Sequence, residues 1–554
     1  MHNVELSGKS ISGGLAMGTA FVYKDILDRN YDLYNIDAES ANAELERIKQ
    51  AISEVHGDLA IASERIEEHM DKTIADVFRA QQAILNDVTF LEEIEKELLA
   101  ELVNAEQVVK SVLRRFKRKF RQAESDTLRQ RVDDLTDLGR RLLRALAGVK
   151  AHSLEHLPPA TVLVAPQLLP SDTVFLSRRS TAAVVVEHGG LASHAALLTR
   201  EMGIPAVAGL SLLTKKIASG DKLLVDGDRG IVIVNPSQLK EVKFKKRMDA
   251  ECLARVEIRQ RCQEPARTLD GSFVQVMANI GCLEDAHLAQ RNGADGIGLY
   301  RLEQLFLSRK TPPTRHDLID AVKPCATIFP DKPVVVRLLD AGGDKDIPFL
   351  SLPAEDNPSL GRRGVRLLLD YPDLAGAQIE AIVWLAQEFD VRILVPMVTV
   401  ADDMSKIRDL VQHAVQQIGA DKAPFLGAMI ETPAAALCTR EIAQNADFLS
   451  IGTNDLTQYT MAAGRENQFV DQYFLEDHPA VMRLIQTVIK EADGTPVEMC
   501  GELAGHTEAV SQLVGMGIHT ISVAPSLVPF IKEAVRQVSL KTQKVSGVTQ
   551  SEGH

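Results

Sequence analysis

A regular alternation of strand-like and helix-compatible segments, beginning near Ser272, constrains the fold more than any other feature of the chain. The strand-like runs are FVQVMAN, GADGIGLYR, PVVVRLLD, VRILVPM, FLGAMIE, DFLSIGTND, PVEMCGE and HTISV. Each is followed by a helix-compatible stretch, so eight strand–helix units occupy about 270 residues. This count and length are typical of a TIM-type (β/α)8 barrel, in which eight parallel strands close into a ring. We therefore predict a barrel domain at residues 263–540.

The first half of the chain predicts an α/β domain interrupted by helices. Short strand-like runs at residues 1–25 and 150–235 indicate one α/β domain, and the N-terminal strands are too few to fold without the later sheet. Residues 26–149 carry apolar residues three and four apart, which predicts an inserted bundle of about four helices. Residues 236–262 are charged and lack Gly or Pro after Pro236, which indicates a helical linker. Residues 541–554 are predicted to be a disordered tail.

The overall charge and the distribution of cysteines exclude several classes of protein. A formal net charge of −14 argues against nonspecific nucleic-acid binding, which needs a basic surface. No apolar run approaches the length that spans a bilayer, and the N-terminus lacks a signal-peptide pattern, so we expect a cytoplasmic protein without membrane insertion. The six cysteines form no CxxC pair, which favours isolated thiols over a disulfide or zinc framework.

A basic run in the predicted bundle, RRFKRKFR at residues 114–121, leaves two interpretations open. Charge on an exposed helix face usually serves only solvation. The alternative is that one face of the bundle docks a partner protein.

His194 lies in the stretch GGLASHAALLTREMGIPAVAG, residues 189–209. Ser193 can cap a short helix that Gly203 and Pro205 end, so His194 would lie where backbone N–H groups and the helix dipole favour a bound anion. A lone histidine on an apolar helix is more often a capping or core residue. The flanking glycines and serine, however, resemble the phosphohistidine motif of enzymes that use phosphoenolpyruvate. We therefore predict that His194 is a nucleophile.

A second set of polar residues ends most of the barrel strands, where such barrels place their active sites. Two carboxylates, Glu431 and Asp455, suit one Mg²⁺ that keeps water and substrate oxygens as its other ligands. Each residue alone could form a rim salt bridge, but their joint occurrence indicates phosphoryl transfer. The cations suited to a small substrate with phosphate and carboxylate groups are Arg301, Arg337, Arg363, Arg465 and Lys345.

Six segments are similar to signatures of Enzyme I of the bacterial phosphotransferase system, the phosphoenolpyruvate-protein phosphotransferase family, and the similarity covers essentially the whole chain. The resemblance implies that the barrel binds phosphoenolpyruvate and Mg²⁺. It implies that a swivelling domain carries the active histidine, which passes the phosphoryl group to a histidine of the phosphocarrier protein HPr, starting a sugar-uptake or regulatory cascade. HPr would bind the helical bundle, and the chain would form a homodimer through its barrel. The segments are GGLASHAALLTR, NGADGIGLYRLE, RLLDAGGDK, GAMIETPAA, FLSIGTNDLTQYT and MCGELAG.

The same resemblance implies a role for each matching residue. His194 would be the phosphorylated nucleophile, Thr173 would orient its imidazole, and Cys500 would donate a proton to the enolate carbon. The other assignments are Arg301 and Arg337 for the phosphate, Asn454 and Arg465 for further substrate oxygens, and Glu431 and Asp455 for Mg²⁺.

The sequence departs from the commoner pattern of the family at four points, none of which removes a residue assigned to chemistry. They bear on substrate affinity, dimer strength and carrier choice. The departures are Leu338, Arg362, Gly464 and the run SVAPS at residues 522–526.

Three alternative functions belong to related or degenerate proteins. A pyruvate phosphate dikinase or phosphoenolpyruvate synthase needs a large nucleotide-binding domain, and no P-loop or comparable glycine-rich loop precedes the histidine segment. A non-catalytic regulatory paralogue would not need both carboxylates, the arginines, Cys500 and His194. A sensory paralogue would carry an extra N-terminal signal-binding domain, which this sequence does not show. The retained residues favour the enzyme.

Overall fold

The computed structural model divides the chain into two compact units, Met1–Glu251 and Cys252–His554. No helix among the described residues is long and apolar enough to cross a membrane. The described residues are 4–23, 34–69, 81–82, 84–122, 132–148, 154, 157–168, 172, 176, 180–188, 199, 202–210, 213–342, 347–350, 352–353, 355–464 and 470–540.

The first unit contains a mixed β-sheet whose strands come from both ends of the unit. In the described part of the chain the strands are β1 (Val4–Ser7), β2 (Lys9–Ser12), β3 (Leu15–Val22), β4 (Thr161–Ala165), β5 (Thr181–Val186), β6 (Ala206–Ala208), β7 (Lys222–Asp226) and β8 (Ile231–Val234). Their order across the sheet is β1-β8-β7-β3-β4-β5-β6-β2. Strand β3 lies inside the sheet, parallel to β4 and antiparallel to β7, while β1 and β2 form its two edges against β8 and β6. This explains how strands too short to fold alone are stabilised.

Strand β6 is a feature that the sequence analysis misses. We interpreted Gly203 and Pro205 as the end of a helix and predicted no strand after them. In the structure β6 pairs in parallel with β5 and antiparallel with β2. Three residues are too few to show the alternation that identifies a strand, so neighbours on both sides determine its conformation.

The predicted helical bundle is confirmed. Its described helices are α1 (Ala38–His69), α2 (Val88–Glu101), α3 (Ala105–Gln122) and α4 (Val132–Leu146). Helix α2 begins where the Asp87 side chain accepts a hydrogen bond from the Thr89 N–H, and it ends at Leu102 in a left-handed conformation. Apolar residues at helical spacing, such as Leu59, Ile94 and Leu138, are fully buried in one core. Burial of these apolar faces holds the four helices together.

Part of the basic run on α3 serves contacts within the bundle. Arg115 forms an ion pair with Glu93 of α2 at 2.9 Å, and a second with Glu97. The Lys119 ammonium lies 5.4 Å from the centre of the Phe116 ring. These contacts explain some of the charge, while partner docking on the bundle stays a prediction.

A buried polar cluster joins helix α4 to the sheet. The Arg140 guanidinium donates to the Asp172 carboxylate at 3.0 Å, and these side chains are only 3% and 0% exposed. The Tyr23 hydroxyl donates to Asp172 at 3.3 Å and accepts from Arg144 at 2.6 Å. Buried charges of this kind persist only when they are paired. We call Tyr23, Arg140, Arg144 and Asp172 the junction cluster.

Two further helices are described near the end of the first unit. The short helix α5 (Leu213–Lys216) lies between β6 and β7 in the chain, and the long helix α6 (Gln238–Gln260), which has no buried residue, follows β8. The division between the two units falls within α6. The domain limits proposed from the sequence remain predictions.

The second unit contains a closed barrel of parallel strands, which confirms the predicted fold class. The strands are β9 (Gln275–Ile280), β10 (Ile297–Arg301), β11 (Val334–Arg337), β12 (Val391–Val395), β13 (Leu426–Ile430), β14 (Phe448–Gly452), β15 (Val497–Cys500) and β16 (Thr520–Val523). They follow chain order, and β16 closes the ring by pairing with β9. Seven of the eight predicted runs contain one of these strands completely, and the first, FVQVMAN, contains all of β9 except its last residue, Ile280.

Helices surround the barrel and cover the outward-facing residues of its strands. Val334, Ile393 and Leu449 are fully buried in the core between strands and helices. The described helices are α7 (Leu283–Arg291), α8 (Glu303–Leu307), α9 (Arg315–Ile328), α10 (Val365–Asp370), α11 (Pro372–Leu385), α12 (Ala401–Ile418), α13 (Pro433–Leu437), α14 (Thr439–Ala443), α15 (Thr453–Met461), α16 (Pro479–Glu491), α17 (Thr507–Met516) and α18 (Val528–Arg536).

All six cysteines lie in the described part of the chain and are free thiols. The prediction of isolated cysteines is confirmed. Among them Cys500 ends a barrel strand, at the edge where a (β/α)8 fold places its chemistry.

Candidate active site

Two arginines lie side by side at the carboxyl ends of neighbouring barrel strands. Arg301 is the last residue of β10 and Arg337 the last residue of β11, and the two are register partners in the parallel pair. Arg301 is exposed, whereas Arg337 is buried. The (β/α)8 topology therefore brings together two cations that are 36 positions apart in the chain.

Two carboxylates hold Arg337 in place: Glu303, which follows β10, and Asp340, which follows β11. Its Nη2 donates to Glu303 Oε1 at 2.7 Å, and its Nη1 lies 3.2 Å from Asp340 Oδ2. Burial acts to lower the pKa of Arg337, but the charges of Glu303, Asp340 and Glu431 outweigh it and raise the pKa. The guanidinium is thus a permanent positive charge in a fixed orientation.

Arg363 connects Asp340 to the predicted metal ligand Asp455. Its Nη2 donates to Asp340 Oδ2 at 2.8 Å, and its Nη1 donates to Asp455 Oδ1 at 2.9 Å. Burial acts to lower its pKa, and Asp340 and then Asp455 reverse the effect and raise it. The sequence predicts a substrate-binding role for Arg363, and in the structure its guanidinium orients two carboxylates.

Glu431 follows β13 and is only 2% exposed. Its Oε1 accepts a hydrogen bond from the Met397 N–H at 2.6 Å. Burial, and then the nearby carboxylates of Asp455 and Asp340, raise the pKa of Glu431 to about 8. The ionised form of this carboxyl therefore needs additional positive charge near it.

The environment of Glu431 fits a hard cation. Glu431 and Asp455 supply the oxygen atoms that Mg²⁺ prefers, and the mutual repulsion of the carboxylates is what a divalent ion would relieve. Across the described residues, no three His, Cys, Asp or Glu side chains converge as metal ligands. Mg²⁺ commonly takes one or two protein carboxylates and keeps water and substrate oxygens as its other ligands.

Cys500 lies at the end of β15 and is 2% exposed. Its sulfur accepts a hydrogen bond from the Ser450 hydroxyl, with 3.6 Å between Oγ and Sγ. Burial raises the pKa of the Cys500 thiol to about 11, although the Ser450 hydrogen bond acts to lower it. The thiol therefore carries its proton at neutral pH.

Asn454 lies at the start of helix α15, immediately before Asp455. Its Oδ1 accepts a hydrogen bond from the Glu502 N–H at 2.8 Å. This bond connects the start of α15, which directly follows β14, with the loop after β15. It also fixes which side of the amide carries the NH₂ donor.

Four predicted site residues, His194, Thr173, Lys345 and Arg465, lie outside the described residues. Their assignments stay predictions. Asp172, which directly precedes Thr173, is described and belongs to the junction cluster.

Glu303 and Asp340 are site residues that the sequence analysis misses. Both lie in the quoted segments NGADGIGLYRLE and RLLDAGGDK, two and three positions after the strand-ending arginines. The sequence signal that could have identified them is an acidic residue two or three positions after an arginine that ends a strand. Such a residue lies at the same edge of the barrel as the arginine.

Family models match the chain in three consecutive regions. Models described as "PEP-utilising enzyme, N-terminal" and "PEP-utilising enzyme, mobile domain" match residues 7–131 and 157–230. A model described as "PEP-utilising enzyme, PEP-binding domain" matches residues 255–540, which contain the barrel. The charged cluster at the strand ends lies within that last match.

Similar proteins align with nearly the full length of the chain. A phosphoenolpyruvate-protein phosphotransferase of Haemophilus influenzae is 33% identical over 98% of this chain and 95% of its own length. That of Bacillus subtilis is 33% identical over 95% of this chain and 93% of its own length, and that of Geobacillus stearothermophilus is 34% identical over 95% and 92%. With the barrel and its strand-end residues in place, these matches show that the chain belongs to the phosphoenolpyruvate-protein phosphotransferase family of PEP-utilising enzymes.

Proposed function

We propose that the chain transfers the phosphoryl group of phosphoenolpyruvate to its own His194, and from there to a histidine of the phosphocarrier protein HPr. The observation that carries the proposal is the cluster of Arg301 and Arg337 with Glu431 and Asp455 at one edge of the barrel. Phosphoryl transfer depends mainly on positioning and charge neutralisation, and this cluster supplies both. Membership of the family supports the same reaction.

Phosphoenolpyruvate would bind at the carboxyl ends of the barrel strands. Arg301 and Arg337 suit the phosphate because a guanidinium matches its oxygens with two parallel donors. Glu303 and Asp340 keep Arg337 in orientation before the substrate arrives. The remaining substrate oxygens are assigned to Asn454, Arg465, Lys345 and Arg363.

We assign Mg²⁺ to Glu431 and Asp455, which supply hard oxygen ligands. When bound, the ion would neutralise negative charge on the substrate phosphate. The hydrogen bond from Met397 fixes one oxygen of Glu431, and Arg363 fixes Asp455. These contacts hold the two carboxylates in place.

Different residues of the chain would carry out the phosphoryl transfer and the proton transfer. Neutral His194, oriented by Thr173, would attack the phosphorus, and Cys500 would protonate the enolate carbon to release pyruvate. A thiol that keeps its proton at neutral pH is suited to act as the acid. The phosphohistidine would then be carried to the partner by movement of the swivelling domain.

The assembly and cellular setting are further parts of the proposal. The helical bundle would bind HPr, and the barrel would form a homodimer. The reaction would take place in the cytoplasm as the first step of a sugar-uptake or regulatory cascade. The Arg115 contacts already use part of the bundle's basic run, so the remaining charge on α3 is the region to test for docking.

Labelling with ³²P-phosphoenolpyruvate and Mg²⁺ tests the proposed function. The wild type should acquire an acid-labile, base-stable label, and His194→Ala should acquire none. His413→Ala, which alters an exposed histidine on α12, should label normally. A folded wild type that takes no label would contradict the proposal and favour a non-catalytic regulatory protein.

A further inference from the structure

The Cys500 thiol lies in an apolar layer inside the barrel. Among the described residues, the hydrogen bond to its sulfur comes from one group, the Ser450 hydroxyl. A thiolate formed at this position would lose most of the solvation that it has in water. The residues that share this layer with Cys500 are Leu299, Val335, Leu394, Met429 and Phe448.

Ser450 reaches the thiol because of the strand register. It lies on β14 opposite Glu498 of β15, while Gly452 lies opposite Cys500. Alternate residues of a strand face the same side, so Ser450 and Cys500 both face the barrel interior. The direct register partner of Cys500 is Gly452, which has no side chain, so the Ser450 contact runs diagonally across the strand pair. Ser450 is itself only 1% exposed.

A second buried serine shows that a hydroxyl inside this barrel does not by itself imply contact with the thiol. Ser522 on β16 is 2% exposed, and its Oγ donates to Asn279 Oδ1 at 2.6 Å. Asn279 returns a hydrogen bond to the Ser522 carbonyl oxygen. Ser522 thus serves a local pair, whereas Ser450 donates to the group that the proposed reaction uses as an acid.

We propose that Ser450 is a positioning residue for the protonation step, whose hydroxyl holds the Cys500 sulfur and stabilises the thiolate that forms when Cys500 gives its proton to the enolate. The inference rests on the proposed function. It extends that function by naming the group that makes proton donation from a buried thiol feasible.

The step balances without any further reactant. The Cys500 S–H bond breaks and its electron pair stays on sulfur, while the enolate C=C electrons form the new C–H bond at the methyl carbon and the enolate oxygen becomes the carbonyl of pyruvate. The Ser450 O–H bond stays intact and strengthens its hydrogen bond as the sulfur becomes negative. Water restores the thiol proton after the product leaves.

The reverse of this step can be measured separately from phosphoryl transfer. Exchange of the pyruvate methyl protons for deuterium, catalysed by unphosphorylated enzyme with Mg²⁺ in D₂O, can be followed by ¹H NMR and does not involve His194. Ser450→Ala should slow this exchange about 10- to 100-fold, the usual effect of removing a hydrogen bond to a charged group. The KM for pyruvate should stay close to that of the wild type.

Two further variants separate positioning from packing. Ser450→Thr keeps the hydroxyl and should recover most of the exchange rate, and Ser522→Ala removes a comparable buried hydroxyl and should exchange at the wild-type rate. His194 labelling by ³²P-phosphoenolpyruvate should reach the same final extent in all three variants, which also shows that each is folded.

The outcomes distinguish this inference from the proposed function. A wild type that neither labels nor exchanges would overturn both. Normal labelling with no exchange in the wild type would overturn the role of the thiol and hence of Ser450. An unchanged exchange rate in Ser450→Ala, or a parallel loss of labelling and exchange in that variant, would overturn the inference alone.

Discussion

The barrel edge and the junction cluster both bury arginine–carboxylate pairs, but they use them differently. At the barrel edge Arg337 and Arg363 each contact two carboxylates. Burial and the neighbouring carboxylates nevertheless raise the pKa of Glu431, so that its ionised form is disfavoured. At the junction Arg140 and Asp172 connect a bundle helix to a segment of the α/β domain. The barrel-edge pairs keep charged groups in position for a ligand, and the junction cluster joins two parts of one unit. Damage to the first should reduce activity, and damage to the second should reduce stability.

Asp172→Asn should have the largest effect. It removes the carboxylate charge that pairs with the buried Arg140, and breaking a buried ion pair typically costs about 3–5 kcal/mol. Trp384, the single tryptophan, lies on α11 of the barrel, so its fluorescence reports the second unit, while circular dichroism reports both. In urea, the circular dichroism of the variant should show an earlier transition while the fluorescence midpoint stays unchanged.

Asp249→Asn, on an exposed part of α6, is the control. Equal midpoints for Asp172→Asn and the wild type would remove the distinction between the two clusters.

Arg337→Lys should come next, with an effect on activity. A lysine cannot contact Glu303, Asp340 and a phosphate with a fixed planar fork, so the initial rate of ³²P labelling should fall about 100- to 1000-fold. The fluorescence midpoint of the barrel should move much less than labelling does. Arg408→Lys, which alters an arginine paired with Asp447 at the amino-terminal end of β14, away from the carboxyl ends of the strands, should label normally. If Arg337→Lys labels at the wild-type rate, the barrel cluster is structural.

Glu498→Gln tests a buried carboxyl group that belongs to neither cluster. Glu498 lies on β15, inside the barrel. Burial raises the pKa of Glu498 to about 7, although Arg392 acts to lower it and Asp390 to raise it. The folded state therefore holds this proton more tightly than the unfolded state. The resulting stability is complete below the ordinary pKa of 4.5 and is lost as the pH rises through about 7.

Glu498→Gln removes that loss, because the amide does not titrate. Relative to the wild type, the variant should gain about 2–3 kcal/mol of barrel stability between pH 5 and pH 8. Urea unfolding followed by Trp384 fluorescence at the two pH values measures this difference. Glu508→Gln, at an exposed position on α17, should show no such gain. A gain of the same size in both variants would mean that Glu498 is not the responsible group.

Lys222→Ala should have the smallest effect. Its ion pair with Glu241 at 2.5 Å is half exposed on the lysine side, and exposed pairs contribute less than about 1 kcal/mol. Unfolding by circular dichroism should differ little from the wild type at low salt and not at all at high salt. A loss comparable to that of Asp172→Asn would show that burial is not what separates the strong pair from the weak one.

The sequence alone determined the barrel and the position of its polar residues along the strands. Strand periodicity is local, and eight repeats over one region leave few other folds. Because parallel strands of such a barrel end at one edge, residues that close a strand, such as Arg301, Arg337 and Cys500, could be assigned to the site from their order alone. The motifs around them were specific enough to indicate the family.

Tertiary structure alone decided which of those residues touch. Arg363 contacts Asp340 and Asp455, Glu303 orients Arg337, and Ser450 reaches the Cys500 sulfur, and none of these pairings is visible in the spacing of the residues. The short strand β6 likewise depends on neighbours that are distant in the chain. Local patterns specify elements because they reflect backbone periodicity and burial. Contacts between side chains depend on strand register and loop direction, which are set only when the sheet closes.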